Sequence, residues 1–110
     1  MKLNVYSIFD KAVSSYLRPF YAESDGAAVR SFKDLCMNAD HPVGKHGADF
    51  FLFRIGVWDD KTSATVSEDP ERLAHALQIQ SEAQAVNASQ LDAFDKSEEV
   101  RSHVRGNGNA

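Results

Sequence analysis

Cysteine is nearly missing from this chain, since Cys36 is the only one among the 110 residues. A single thiol excludes an internal disulfide framework. The fold must therefore rest on packing and hydrogen bonds, and a chain of this length buries a modest core without staples. A metal site is also disfavoured, because Cys36, His41 and His46 are five residues apart and zinc ligands are usually more closely spaced.

Long apolar runs are also missing, and none approaches the roughly 18 residues of a membrane-spanning helix. The N-terminus, Met1-Lys2-Leu3-Asn4-Val5-Tyr6, alternates polar and apolar residues like a strand. It lacks the apolar centre of a signal peptide. We therefore expect a soluble cytoplasmic protein that makes no contact with a membrane.

Motifs for catalysis and for cofactor binding are not recognisable. The stretch Gly44-Lys45-His46-Gly47 lacks the spacing of a phosphate-binding loop. The pair Asp59-Asp60 fits a turn better than a catalytic dyad. The sequence thus predicts no enzyme, no cofactor and no bound metal.

A basic excess is lacking too, because the net charge is −4. Residues 1–67 hold eight basic and eight acidic residues, whereas residues 68–110 hold four and eight. The net negative charge therefore comes from residues 68–110. Such an extension is typical either of a solvating tail or of a segment that competes with nucleic acid for basic groups.

The most apolar and aromatic stretch runs from Asp49 to Asp60 and predicts a strand. Side chains alternate along a strand, so two sets of residues share its two faces. One set is purely apolar and comprises Phe51, Phe53, Ile55 and Val57. We expect this set to pack under the helix, with Phe53 and Ile55 on Phe32 and Leu35. The other set carries rings and a cation and comprises Phe50, Leu52, Arg54, Gly56 and Trp58. Alternatively, both faces are covered and Arg54 lies at an edge.

The remaining elements follow from alternation, capping residues and proline. Strands are predicted over Lys2–Phe9, over Tyr16–Ala22 at an edge because of Pro19, and over Ser63–Val66. A helix is predicted from Ser24-Asp25-Gly26 to about Asn38. The stretch Ser67-Glu68-Asp69-Pro70 indicates the start of a second, weaker helix.

These elements predict an α+β fold with a four-stranded antiparallel sheet in the order β-β-α-β-β. One helix packs on one face, and a weak C-terminal helix and a disordered tail follow. We divide the chain into an α+β domain at 1–67, an accessory helix at 68–86 and an acidic tail at 87–110.

The face opposite the helix is the candidate binding surface. The rings and cations predicted to share it are Tyr6, Tyr16, Arg18, Phe20, Arg54 and Trp58. Bases stack on rings while cations meet phosphates, so this pattern suits single-stranded DNA. A dimer interface favours the same residue types. In that case DNA would lie on the loop at Lys45 or along the helix edge at Arg30 and Lys33.

Three blocks of the sequence carry a resemblance to a known family. The first block is Met1 to Asp10. The second is Leu17-Arg18-Pro19-Phe20-Tyr21-Ala22 followed by Gly26 to Phe32. The third is His46 to Asp60, which contains Phe53-Arg54-Ile55-Gly56. Together they resemble a small non-structural protein of the gokushovirus-type microviruses, which are single-stranded-DNA phages. The resemblance covers residues 1–66, and the long acidic extension departs from it.

The resemblance implies a protein that binds DNA and governs the passage from replication to single-strand synthesis and packaging. We therefore expect a protein that binds single-stranded DNA in the cytoplasm of the infected bacterial host, and the ring-rich face leads us to expect a homodimer. The alternative is a protein-interaction module that docks on a phage replication or capsid protein through the same aromatic face.

Overall fold

A computed structural model of the protein describes residues 1–88. Residues Met1–Gln80 form one compact unit. Its elements are β1 (Lys2–Asp10), β2 (Ser15–Tyr16), β3 (Phe20–Ala22), α1 (Asp25–Cys36), α2 (Pro42–Lys45), β4 (Phe50–Asp59) and β5 (Thr65–His75). A final helix, α3, covers residues 76–88. Within the described residues no helix is long and apolar enough to cross a membrane.

One antiparallel sheet contains all the strands, in the order β2-β1-β4-β5, with β3 also paired to β1. The predicted α+β class, with an antiparallel sheet, a helix and a C-terminal helix, is confirmed. The predicted second strand is divided into β2 and β3 by the segment 17–19. Pro19 lies in this gap, where its missing N–H costs no ladder hydrogen bond.

Helix α1 begins where the sequence indicated. The Ser24 hydroxyl caps it by accepting a hydrogen bond from the Ala27 N–H at 3.1 Å. Its buried stripe, at helical spacing, consists of Ala28, Phe32 and Cys36. This stripe packs on the sheet and forms the main core together with buried residues of β1 and β4.

The face of β4 that meets α1 is the opposite of the predicted one. The core contains Phe50 and Leu52, which are 4% and 0% exposed. Phe53 instead contacts Phe9 and Tyr16 on the other side of the sheet. The prediction that Phe53 and Ile55 pack on the helix was therefore wrong. Both sets of side chains are apolar enough to be buried, so alternation alone does not decide which one meets the helix.

A bulge in β4 also changes the alternation within that strand. Val5 pairs with Gly56 and the next residue, Tyr6, pairs with Arg54, so Ile55 is the extra residue. Trp58 consequently pairs with Leu3 and lies on the side of the sheet away from α1. Arg54 lies on the helix side, where it reaches Asp25 at the start of α1.

The segment predicted to start the second helix is a strand. Residues Ser67 to Pro70 lie inside β5, which continues to His75, and α3 begins only at residue 76. Pro70 is accommodated because β5 is an edge strand and its pairing with β4 is irregular between Arg54 and Gly56. The predicted boundary at residue 67 thus falls within a strand. The predicted tail lies outside the described residues from residue 89 onwards.

Candidate nucleic-acid interface

The sheet face opposite α1 carries most of the rings that the core does not use, and we call it the open face. Side chains of directly paired residues share a face. Phe9 pairs with both Tyr16 and Phe51, while Tyr21 pairs with Val5. The resulting set of rings and cationic or titratable groups is Phe9, Tyr16, Tyr21, Phe51, Phe53, Trp58, Arg72 and His75. The open face therefore carries rings, as the sequence suggested, but with a single arginine and largely from other residues.

Two groups of rings occupy the middle and one end of the open face. Phe9, Tyr16 and Phe53 contact one another with centroid separations between 4.9 and 6.3 Å. Tyr21 and Trp58 meet edge to face at 5.8 Å. Tyr16 and Tyr21 remain about half exposed, at 46% and 51%. Both groups thus keep ring surface that a further planar group can contact.

A third group at the other end of β4 contains the cation of the open face. The His75 ring is stacked on Phe51 with centroids 4.1 Å apart and planes 9° apart. The Arg72 guanidinium carbon lies 5.4 Å from the centroid of Phe51. His75 Nε2 lies 3.1 Å from the Ala48 carbonyl oxygen. Cationic and planar groups therefore lie together at this end, a combination of the kind that contacts bases and phosphates in single-strand binding proteins.

Arg54, which we predicted to be a phosphate ligand, is held by carboxylates. Its guanidinium donates to Asp25 Oδ2 at 2.6 Å and to Glu71, and Glu68 lies 4.0 Å away. The hydrogen bond to Asp25 is the main reason why the pKa of Arg54 is raised. Three carboxylates around one cation leave a local negative excess, which repels phosphate.

Tyr6 is a core residue, and Phe20 packs against the core, so neither is part of the open face. Tyr6 is fully buried, and Phe20 stacks on it with centroids 5.6 Å apart. The Tyr6 hydroxyl donates to Asp25 Oδ1 at 2.7 Å and accepts from Asn4 Nδ2 at 3.0 Å. Asp25 thus joins Tyr6 to Arg54. Burial, with the bond to Asp25, raises the pKa of Tyr6 from 10.0 to about 12.

This shift predicts how stability changes at high pH. The unfolded chain releases the Tyr6 proton near pH 10, whereas the folded chain keeps it until about pH 12. The contribution of Tyr6 to the free energy of unfolding is complete below about pH 10 and is lost as the pH rises through about 12. The melting temperature of the wild-type protein should therefore fall over this pH range. The melting temperature of Tyr6→Phe should fall less, because phenylalanine has no proton to lose. Tyr21→Phe, on the open face, serves as the control and should fall like the wild type.

The other predicted cations lie away from the open face. Arg30 and Lys33 are exposed on α1, and Lys45 is exposed at the end of α2. Arg18 is exposed in the segment between β2 and β3. Among the predicted site residues, only Tyr16 and Trp58 belong to the open face.

The sequence reasoning missed Phe51, Phe53, Arg72 and His75. The first two were assigned to the core because their set contains no polar residue. Arg72 and His75 were assigned to a helix because Ser67 and Pro70 fit a helix start. The alternation of Arg72, Leu73, Ala74 and His75 offered little signal of a strand, since it is only four residues long.

Cys36 is a buried thiol on the sheet side of α1. It is 3% exposed within the core, and burial raises the pKa of its thiol to about 11. Burial of this kind disfavours the thiolate, which is the nucleophilic form of cysteine.

Comparison with known proteins adds one match. Residues 3–79 match the model of a family described as Phage ORF5 protein. No curated protein and no solved structure shows a significant match to the chain. The matched range runs from β1 to the first turn of α3 and so includes every strand of the sheet.

Proposed function

The chain belongs to the Phage ORF5 protein family, and from this premise we propose that it is a non-structural single-stranded-DNA-binding protein. It acts in the infected bacterial host, in phage genome replication and the passage to single-strand synthesis and packaging. It has no catalytic role and binds no cofactor. DNA lies on the open face and is bound without strong sequence preference.

The observation that carries this proposal is the row of ring groups along β4. The row runs from Phe51 through Phe53 to Trp58, which pair with Phe9, Ser7 and Leu3 of β1, and six steps of β1 separate its ends. At about 3.3 Å per step the row is about 20 Å long. An extended single strand covers that length with a few nucleotides, near the lower end of the ~4–16 that one OB fold binds. Every base has a π-face, so stacking on such a row tolerates any sequence.

In this proposal the DNA phosphates are bound at the Phe51 end of the row of rings. Arg72 lies there with its guanidinium near a ring, in a position that suits simultaneous contact with a base and a phosphate. Arg54, with its three carboxylates, is not a phosphate ligand in this proposal.

Salt dependence tests this assignment. Anisotropy titrations of a labelled oligothymidylate at several salt concentrations give the slope of log affinity against log salt. Arg72→Gln should flatten this slope by about 0.7, the value for one phosphate contact on a single strand. The control is Lys33→Gln, an exposed cation of α1, which should leave the slope unchanged. Equal slopes for Arg72→Gln and wild type would contradict the assignment.

A protein interface is the second candidate, and the small number of cations favours it. Arg72 is the only arginine or lysine that strand pairing places on the open face within residues 1–88. A surface rich in rings with one arginine is also typical of an interface core. A second copy, or a phage replication or capsid protein, would then cover the open face. Loss of a dimer in Trp58→Ala, with DNA affinity unchanged, would support this candidate.

A further inference from the structure

A hollow of about 320 Å³ lies between α1 and the edge of the sheet, on the other side from the open face. Its apolar lining consists of Ile8, Leu17, Phe20, Phe32 and Leu35. The partly buried Phe20 and Leu35 form the floor, above Ile8 and Phe32, which are 5% and 0% exposed, while Leu17 is 38% exposed at the mouth. The volume is at the lower end of the range for binding pockets.

The mouth of the hollow is held in shape by backbone hydrogen bonds. The Leu17 N–H donates to the Ile8 carbonyl at 2.7 Å, and the Leu17 carbonyl accepts from the Ser7 hydroxyl at 2.7 Å. Pro19 restricts the backbone two residues later. The segment between β2 and β3 is therefore fixed, and Leu17 is kept at the mouth by these bonds.

The polar groups of the hollow are donors. Arg18, Ser31 and His41 complete its lining, and no acidic residue lines it. His41 Nδ1 accepts from the Val43 N–H at 3.1 Å, so the ring proton is on Nε2, which is a donor. Within residues 1–88, neither Arg18 nor His41 Nε2 has a carboxylate or carbonyl partner. An apolar floor beneath these donors suits an apolar group that carries an anionic acceptor.

We propose that this hollow is a second docking site, for an acidic peptide segment of a protein partner. One leucine- or phenylalanine-sized side chain of the segment enters the hollow, and a neighbouring carboxylate accepts hydrogen bonds from Arg18 and His41. The site is separate from the open face, so the protein can hold a single strand and a protein partner together.

A nucleobase fits the hollow less well than an apolar side chain does. The nitrogen and oxygen atoms of a base need hydrogen-bond partners when they leave water. The floor offers hydrocarbon and ring carbon from Phe20 and Leu35, and the polar lining of Arg18, Ser31 and His41 has no carboxylate or amide oxygen to accept from the N–H groups of a base. A buried base would therefore lose hydrogen bonds that a leucine or phenylalanine never makes.

The test uses NMR titration of the full chain with a capped eight-residue peptide, in which a leucine–phenylalanine pair lies between aspartates. The amides of Ser31, Leu35 and His41 should shift and saturate. The matched peptide with asparagines in place of the aspartates should bind about tenfold more weakly, and so should Arg18→Glu with the first peptide. Arg30→Glu, an exposed site on α1 outside the hollow, should leave the Kd unchanged.

Added oligothymidylate distinguishes the two sites. The peptide should keep the same Kd when the open face is saturated with DNA. Three results would overturn the proposal: no saturable shift, equal binding of the aspartate and asparagine peptides, or displacement of the peptide by the oligonucleotide. Failure of DNA binding alone would reject the proposed function and leave the peptide site standing.

Discussion

Phe32→Ala is expected to lower the free energy of unfolding by about 3–5 kcal/mol, as measured by urea denaturation. Phe32 is fully buried and belongs to the same core cluster as Tyr6, Ile8 and Leu52 of the sheet. Truncation removes ring contacts and leaves a cavity that the close-packed strands cannot fill.

The matched control for this prediction is Phe53→Ala. Phe53 is half-buried on the open face, beside Phe9 and Tyr16, so it keeps contact with water in the folded protein. Its loss should therefore cost clearly less than the loss of Phe32. A larger effect for Phe53→Ala than for Phe32→Ala would reverse the assignment of the two sheet faces.

Removal of two rings from the open face should have the largest effect on function. Phe53→Ala combined with Trp58→Ala is expected to weaken single-strand binding by about 2–6 kcal/mol, at about 1–3 kcal/mol for each stacked base. The two rings belong to separate groups, so their losses should be roughly additive. Anisotropy of a labelled oligothymidylate measures the change.

Val66→Ala provides the control for the double substitution. Val66 is 62% exposed and pairs with Val57, on the sheet face that α1 partly covers. It is an apolar surface residue of the same sheet, but it lies away from the open face. Its replacement should leave the affinity for the oligonucleotide unchanged, and a loss equal to that of the double variant would exclude specific stacking.

The positions of β1, α1 and β4 could be predicted because each depended on a local signal. Ser24 and the apolar spacing of α1 determine the helix, and the aromatic run before Asp59 determines β4. Pro19 indicated an edge position, and the structure places it in the gap between β2 and β3. These features need only short-range information.

The choice of buried face could not be predicted, because it depends on contacts between distant residues. Asp25 at the start of α1 bonds both Tyr6 and Arg54, which draws that face of β1 and β4 towards the helix. The bulge at Ile55 then returns Trp58 to the open face. Neither the partner of Asp25 nor the bulge is apparent from alternation alone.

The length of β5 was missed for a related reason. Pairing with β4 through Glu71 and Arg72 outweighs the local preference of Ser67 and Pro70 for a helix start. Arg72 and His75 reach the open face only because this strand continues. The cationic end of the candidate site therefore depended on a tertiary contact that the sequence did not reveal.

A single strand lying across the open face would pass close to Trp58, whose emission reports on it directly. Trp58 is the only tryptophan in the chain and contacts Tyr21 on that face. Titration with oligothymidylate at low salt should quench its emission, and added salt should restore the emission as phosphate contacts are lost. Unchanged emission at an oligonucleotide concentration that saturates binding by anisotropy would place the DNA elsewhere and contradict the account.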